Sequence, residues 1–124
     1  MRILGIIPTR YASSRFPGKA LADIGGKPMI QWVYEQSKMS SFLTELIVAT
    51  DDERIFVGCT ALNIPVEMTA DYHRSGTDRC AEVAKKHPDF EAVIYIHCDE
   101  PFIMPIQIDI LAKTLLQNDS AEIA

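Results

Sequence analysis

Apolar residues along the chain fall into short unbroken runs, separated by stretches in which they recur every three or four positions. Ile3–Pro8 (ILGIIP), Leu46–Thr50 (LIVAT) and Ala92–Ile96 (AVIYI) are runs of the first kind, and Pro65–Met68 (PVEM) is a weaker one before the last. Runs of this length without alternation read as strands covered on both faces. Between them Met29, Ile30, Val33 and Tyr34 form an apolar stripe in a helix for which Pro28 is a favoured first residue. Ile55, Phe56, Cys59 and Leu62 mark a second helix, closed near Asn63. Cys80, Val83 and Ala84 mark a third, capped by Thr77 or Asp78 and ended by His87-Pro88, and a fourth starts at Pro105 with Ile108, Leu111 and Leu115 on one side.

This β-α alternation predicts an α/β fold, with a parallel sheet between two helical layers. Right-handed crossovers allow the strand order 3-2-1-4, which makes the boundary between the first and fourth strands the switch point. Ligands of such sheets bind beyond the carboxyl ends of the strands at that boundary. The polar Thr9–Lys19 loop and the Cys98–Glu100 segment are therefore expected to face each other across one crevice.

Composition narrows the ligand. The 124 residues, 48% hydrophobic and 23% charged, suffice for one packed core. Seventeen acids against twelve Lys plus Arg give a net charge of −5. That balance argues against sequence-independent nucleic-acid binding, so an anionic ligand has to meet a local cluster of cations. No apolar run approaches the ~18 residues of a membrane helix, and Pro8-Thr9-Arg10 cuts the opening run short of a secretory signal. The expectation is a cytoplasmic protein. Cys59, Cys80 and Cys98 match no zinc or CxxC spacing and read as reduced thiols.

Arg10, Arg15 and Lys19 share one loop with Ser13, Ser14 and Gly18, an inventory suited to a polyphosphate, although a solvated charged loop has the same composition. Neither a Walker A loop nor a GxGxxG fingerprint is present. Asp99 follows the fourth apolar run, where a carboxylate opposite a polyphosphate cradle would hold Mg²⁺; the alternative is a turn or cap acid. His97 either touches a substrate or packs at the strand end. Asp51, Asp52 and Glu53 suit helix capping. The His73–Arg79 loop sets Ser75-Gly76-Thr77 between Arg74 and Arg79 ahead of a helix, ordinary N-terminal chemistry when taken alone.

Four stretches taken together carry a more specific signal: IIPTRYASSRFPGKALADIGGKPMI at 7–30, IVATDDERI at 47–55, MTADYHRSGTDRCAEVA at 68–84 and DEPFI at 99–103. In this order they resemble the cytidylyltransferases that activate 3-deoxy-manno-octulosonate (Kdo). The resemblance implies a Rossmann-like nucleotidyltransferase sandwich and transfer of a cytidylyl group from CTP to Kdo, with release of pyrophosphate and a need for Mg²⁺. It implies that Arg10, Arg15 and Lys19 bind the triphosphate, that Lys19 and Asp99 are catalytic with Asp99 the metal ligand, and that Ser75 and Gly76 lie in a loop near the cytosine; Arg74 and His97 are further substrate-binding candidates. Members of that family are about twice this long, so residues 1–124 are expected to be the N-terminal nucleotide-binding portion of a domain that forms a homodimer at full length. His97-Cys98 stands where the family commonly has Gln-Gly, and Arg74 where Gln or Lys is more usual. Two other readings remain open: a CTP-binding fragment without turnover, and a nucleotidyltransferase for another acidic sugar, such as sialic acid or an amino-Kdo.

Overall fold

The computed structural model describes residues 2–11, 18–73, 75–98 and 105–117. Its elements run β1 (Ile3–Thr9), a 3₁₀ turn (Lys19–Leu21), β2 (Asp23–Ile24), β3 (Lys27–Pro28), α1 (Met29–Lys38), β4 (Glu45–Thr50), α2 (Glu53–Ala61), β5 (Val66–Met68), α3 (Gly76–Lys86), β6 (Ala92–Tyr95) and α4 (Pro105–Gln117). The main sheet has the order β5-β4-β1-β6 with every pairing parallel, the 3-2-1-4 arrangement expected from the sequence. At its centre Ile6 lies opposite Ile47 on one side and Tyr95 on the other.

Strand alternation divides the core between two faces. Ile3, Ile7, Leu46, Val48, Ala92 and Ile94 point to one face, where Ile30 and Val33 of α1, Ile55 and Cys59 of α2, and Ile108 and Ala112 of α4 cover them. Leu4, Ile6, Ile47, Ala49 and Val93 point to the other, covered by Cys80 and Val83 of α3. The expected stripe of α1 is buried at all four positions. In α4 the buried partner of Ile108 is Ala112, while Leu111 is 40% exposed; the side chain of Leu115 falls outside the described residues. Among the described residues no helix is long and apolar enough to cross a membrane.

Helix ends follow local chemistry. Asp52 caps α2 by accepting from the backbone N–H of Arg54 at 2.8 Å. The C-terminus of α2 closes as a Schellman turn: Asn63 adopts φ 59°, its N–H donates to the Thr60 carbonyl at 3.1 Å, and the Ile64 N–H donates to the Cys59 carbonyl at 2.9 Å. Pro28 is the N-cap of α1 rather than its first helical residue, because it is also the last residue of the hairpin β2–β3. That hairpin turns at Gly25 and Gly26 with φ 59° and 94°, the two positive values that a type I′ turn requires. It is fastened to α1 by the Trp32 indole N–H on the Ile24 carbonyl at 2.6 Å and by Lys27 on Glu35 at 2.6 Å. That contact with the Lys27 ammonium, helped by a hydrogen bond from Gln31, holds the Glu35 carboxyl below its usual value.

Asn63→Ala is expected to lose about 1 kcal/mol, the cost of a left-handed residue with a Cβ and no compensating side chain, whereas Asn63→Gly stays within a few tenths. Urea midpoints at constant m-value measure both, and an Ala variant as stable as the Gly variant would contradict the turn geometry.

Candidate active site

Parallel pairing sends the chain out of β1, β4, β5 and β6 at one edge of the sheet, and the exits of β1 and β6 are adjacent there. Of the predicted site residues, Arg10, Lys19, Ser75, Gly76 and His97 are described, and they lie on segments leaving this edge. Arg15, Arg74 and Asp99, with Ser13 and Ser14, fall outside the described residues.

At the β1 exit Thr9 is buried, Arg10 is exposed and Tyr11 is half-buried. The Gly18 N–H donates to the Tyr11 carbonyl at 2.6 Å, so Arg10 and the exposed Lys19 stand on either side of a loop base closed by that bond. Gly18 has φ 75°, and a Cβ there would come within 3.1 Å of the Tyr11 ring. Over that ring lies the Arg54 guanidinium, 3.2 Å from its centroid. Asp52 holds Arg54 through contacts of 3.1 Å to Nε and 2.7 Å to the terminal nitrogen, and this guanidinium draws the Asp52 carboxyl below its usual value. The cationic loop is thus tied at its root to the first turn of α2.

Polar side chains of α3 hold the segment leaving β5. Arg79, 1% exposed, donates to Thr69 Oγ1 at 2.5 Å and to the Ala70 carbonyl at 3.3 Å, and lies 3.7 Å from the Asp51 carboxylate. A carboxylate oxygen of Glu82 accepts from the Ala70 N–H at 2.9 Å and meets the His73 Nε2 at 2.8 Å, while Lys86 reaches its other oxygen at 3.2 Å. The backbone N–H of Ala70 and the His73 ring hold Glu82 down to about 2. Ser75, rather than Thr77 or Asp78, caps α3, its Oγ accepting from the Asp78 N–H at 3.1 Å.

At the β6 exit Tyr95 and His97 meet edge to face, with ring centroids 4.5 Å apart. The Tyr95 ring also lies so close to Gly76 that a Cβ there would fall 2.6 Å from Cε2, inside any real contact. Ser75-Gly76 and His97 are thereby gathered on one side of the edge, while Arg10 and Lys19 leave the neighbouring strand. Of the acids after β4, Asp52 caps as expected and Asp51 faces Arg79. Cys59 and Cys80 are buried free thiols, pushed up to about 12 by desolvation, which makes them poor nucleophiles.

Sequence reasoning missed Tyr95, Glu82 and the Tyr11–Arg54 stack, and noted Arg79 only as a flank of the Ser75–Thr77 segment, not as a buried anchor. The signals were faint: Tyr95 sits two residues before His97, hence on the same strand face, and Glu82 lies one helical turn beyond Arg79.

A parallel sheet flanked by helices, with a cation-bearing segment leaving its switch point, is a Rossmann-like arrangement. In agreement, a solved CMP:2-keto-3-deoxy-manno-octonic acid synthetase in complex with CTP superposes with a TM-score of 0.92 at 40% identity, covering 97% of this chain and 49% of that one. Residues 4–124 match the family model described as Cytidylyltransferase. Among curated relatives, the 3-deoxy-manno-octulosonate cytidylyltransferase of Geotalea uraniireducens (strain Rf4) is 51% identical over 120 residues, or 97% of this chain and 47% of that protein. Its counterpart in Parabacteroides distasonis is 51% identical over 125 residues, 100% of this chain and 49% of that protein. The chain belongs to the cytidylyltransferase family. It spans about half the length of the curated relatives it matches.

Glu82 anchors the loop only while ionised. A carboxyl depressed from 4.5 to about 2 adds stability that is fully present above pH 4.5 and is lost as pH falls towards 2. Glu82→Gln is expected to cost about 1–2 kcal/mol near pH 7 and to flatten the stability profile between pH 5 and 2. Urea unfolding across that range checks it; parallel profiles for the two proteins would remove Glu82 as the acid-sensitive anchor.

Proposed function

We propose that the protein transfers the cytidylyl group of CTP to 3-deoxy-manno-octulosonate, forming CMP-Kdo and pyrophosphate in the cytoplasm for lipopolysaccharide synthesis. The observation that carries this reading is the adjacency of the β1 and β6 exits: the segment bearing Arg10 and Lys19 and the segment bearing His97 leave neighbouring strands at one edge. The relatives' names give the nucleotide and the sugar.

The sugar hydroxyl oxygen attacks the α-phosphorus, the bond to the bridging oxygen of pyrophosphate breaks in line, and the hydroxyl proton passes to water. Such transfers need charge neutralisation and positioning rather than a side-chain nucleophile. Arg10, Arg15 and Lys19 grip the triphosphate, and Lys19 neutralises charge on the leaving pyrophosphate. Ser75 and Gly76 border the cytidine, with Arg74 a further substrate contact, and His97 faces the acceptor sugar.

The donor set at this edge suits Mg²⁺. The described acids after β4 are otherwise engaged, Asp51 with Arg79 and Asp52 with the α2 cap and Arg54, and the family resemblance assigns the metal to Asp99, which lies outside the described residues. Mg²⁺ takes one or two carboxylates and fills its sphere with phosphate oxygens and water, so Asp99 together with CTP is a sufficient set. When bound, the ion supplies charge neutralisation on the phosphate oxygens.

A second reading rests on length: a chain that spans half of its relatives would bind CTP without turning it over. Calorimetry of the 124-residue chain with CTP and Mg²⁺, beside pyrophosphate release by the full-length protein, separates the two. The full-length protein is expected to release pyrophosphate from CTP, Kdo and Mg²⁺. Asp99→Ala is expected to slow it on the order of 100-fold or more, as loss of a metal clamp worth several kcal/mol requires. An undiminished rate removes Asp99 from the mechanism. Turnover with sialic acid or an amino-Kdo in place of Kdo would reassign the acceptor.

A further inference from the structure

Tyr95 touches the two halves of the candidate site at once. Strand alternation puts Tyr95 on the α3 face of the sheet, packed against the cluster of Leu4, Ile6, Cys80 and Val83. Its ring passes under the first residue of α3 so closely that position 76 has room only for hydrogen. The other end of the contact is His97, two residues on and on the same face, meeting the ring at a 65° interplanar angle. His97 is exposed and lies beyond the last regular residue of β6. The described contact that fixes its ring is therefore the tyrosine.

We propose that Tyr95 is a positioning residue that sets the His97 imidazole for the acceptor sugar and keys it to the Ser75–Gly76 turn. The role follows from the juxtaposition of Gly76, Tyr95 and His97, and rests on the function proposed above. A tyrosine suits the task because its ring has only two side-chain torsions and both of its neighbours are in contact. Displacement of the turn moves the ring, and movement of the ring releases His97. Nucleotide and acceptor subsites are in this way joined through one side chain that need not touch either substrate.

The test is a double-mutant cycle on steady-state constants of the full-length protein, with His97 ring signals followed by NMR in the absence of substrates. Tyr95→Leu is expected to raise the KM for the sugar about tenfold with kcat changed less than about twofold, a split that simple loss of folded protein does not produce. The double variant Tyr95→Leu with His97→Ala should be no worse than His97→Ala alone, because both remove the same interaction. Tyr95→Phe, which keeps the ring, should recover the sugar KM lost in Tyr95→Leu. Additive effects, or an unchanged sugar KM in Tyr95→Leu, would overturn the assignment. If Tyr95→Leu does not fold, Gly76→Ala replaces it: a rise in KM for the sugar as well as for CTP supports the link, and a rise confined to CTP sinks it. The NMR arm separates this inference from the proposed function. His97 signals identical in wild type and Tyr95→Leu, or in Gly76→Ala, overturn the positioning whatever the activity, whereas shifted signals in a protein that releases no pyrophosphate overturn the enzymatic reading and, with it, the role toward a sugar.

Discussion

The parallel pairing of β1 with β4 on one side and β6 on the other is the constraint from which the site follows. A central strand with both edges paired and both faces covered has its backbone hydrogen bonds satisfied internally, and its chain direction imposes itself on each neighbour. Four exits then fall along one edge. Everything polar that the chain carries after each strand is delivered to that edge, whatever lies between in sequence. The opposite edge receives the helix C-termini and short returns, such as the Glu91 N–H on the Arg2 carbonyl at 2.9 Å and the Thr44 N–H on the Ile3 carbonyl at 2.8 Å.

The two helical layers divide the work unequally. α1, α2 and α4 cover one face with aliphatic side chains, and this layer supplies most of the buried apolar surface. Among the described helices only α3 covers the other face, and its sheet-facing side changes character along its length. Cys80 and Val83 pack on the strands, while Arg79, Glu82 and Lys86 reach the segment leaving β5. A buried arginine in the first turn of a helix opposes the helix dipole, so its burial depends on the Asp51 carboxylate and the oxygens of Thr69 and Ala70. That dependence ties the loops after β4 and β5 together beneath Ser75. The analogous tie on the other side is Arg54, stacked on Tyr11 and held by Asp52. Both segments are thus rooted in neighbouring elements by charged groups, with Arg10 and Lys19 exposed on the one that leaves β1.

The order of the four main-sheet strands and four α-helices, the strand order of the main sheet and the inward stripe of α1 were all legible in the sequence, because each depends on periodicity and crossover handedness, and both are local or generic. So were the Asp52 cap and the Asn63 stop, where the side chain itself makes or permits the turn. The hairpin at Gly25-Gly26 went unread: two-residue strands carry too few apolar positions to register as a period, and only its turn glycines betray it. The expected cap of α3, Thr77 or Asp78, falls two or three residues late because Ser75, Thr77 and Asp78 are all good caps, and the choice is made by where β5 delivers the chain. Ala112 took the buried place beside Ile108 instead of Leu111 because the space against α1 and β6 sets which residue fits.

The sequence by itself determined that cations follow the first strand, that an acid follows the fourth, and that a parallel sheet would carry both to one side. Only the tertiary structure decided which polar and aromatic groups meet there: Arg79 with Asp51, Glu82 with Ala70 and His73, Arg54 with Tyr11, and Tyr95 with both Gly76 and His97. The reason is physical. Periodicity encodes which face of an element is buried, but a contact between side chains far apart in sequence depends on how a helix lies across the sheet, and that is fixed by the packing of the whole core.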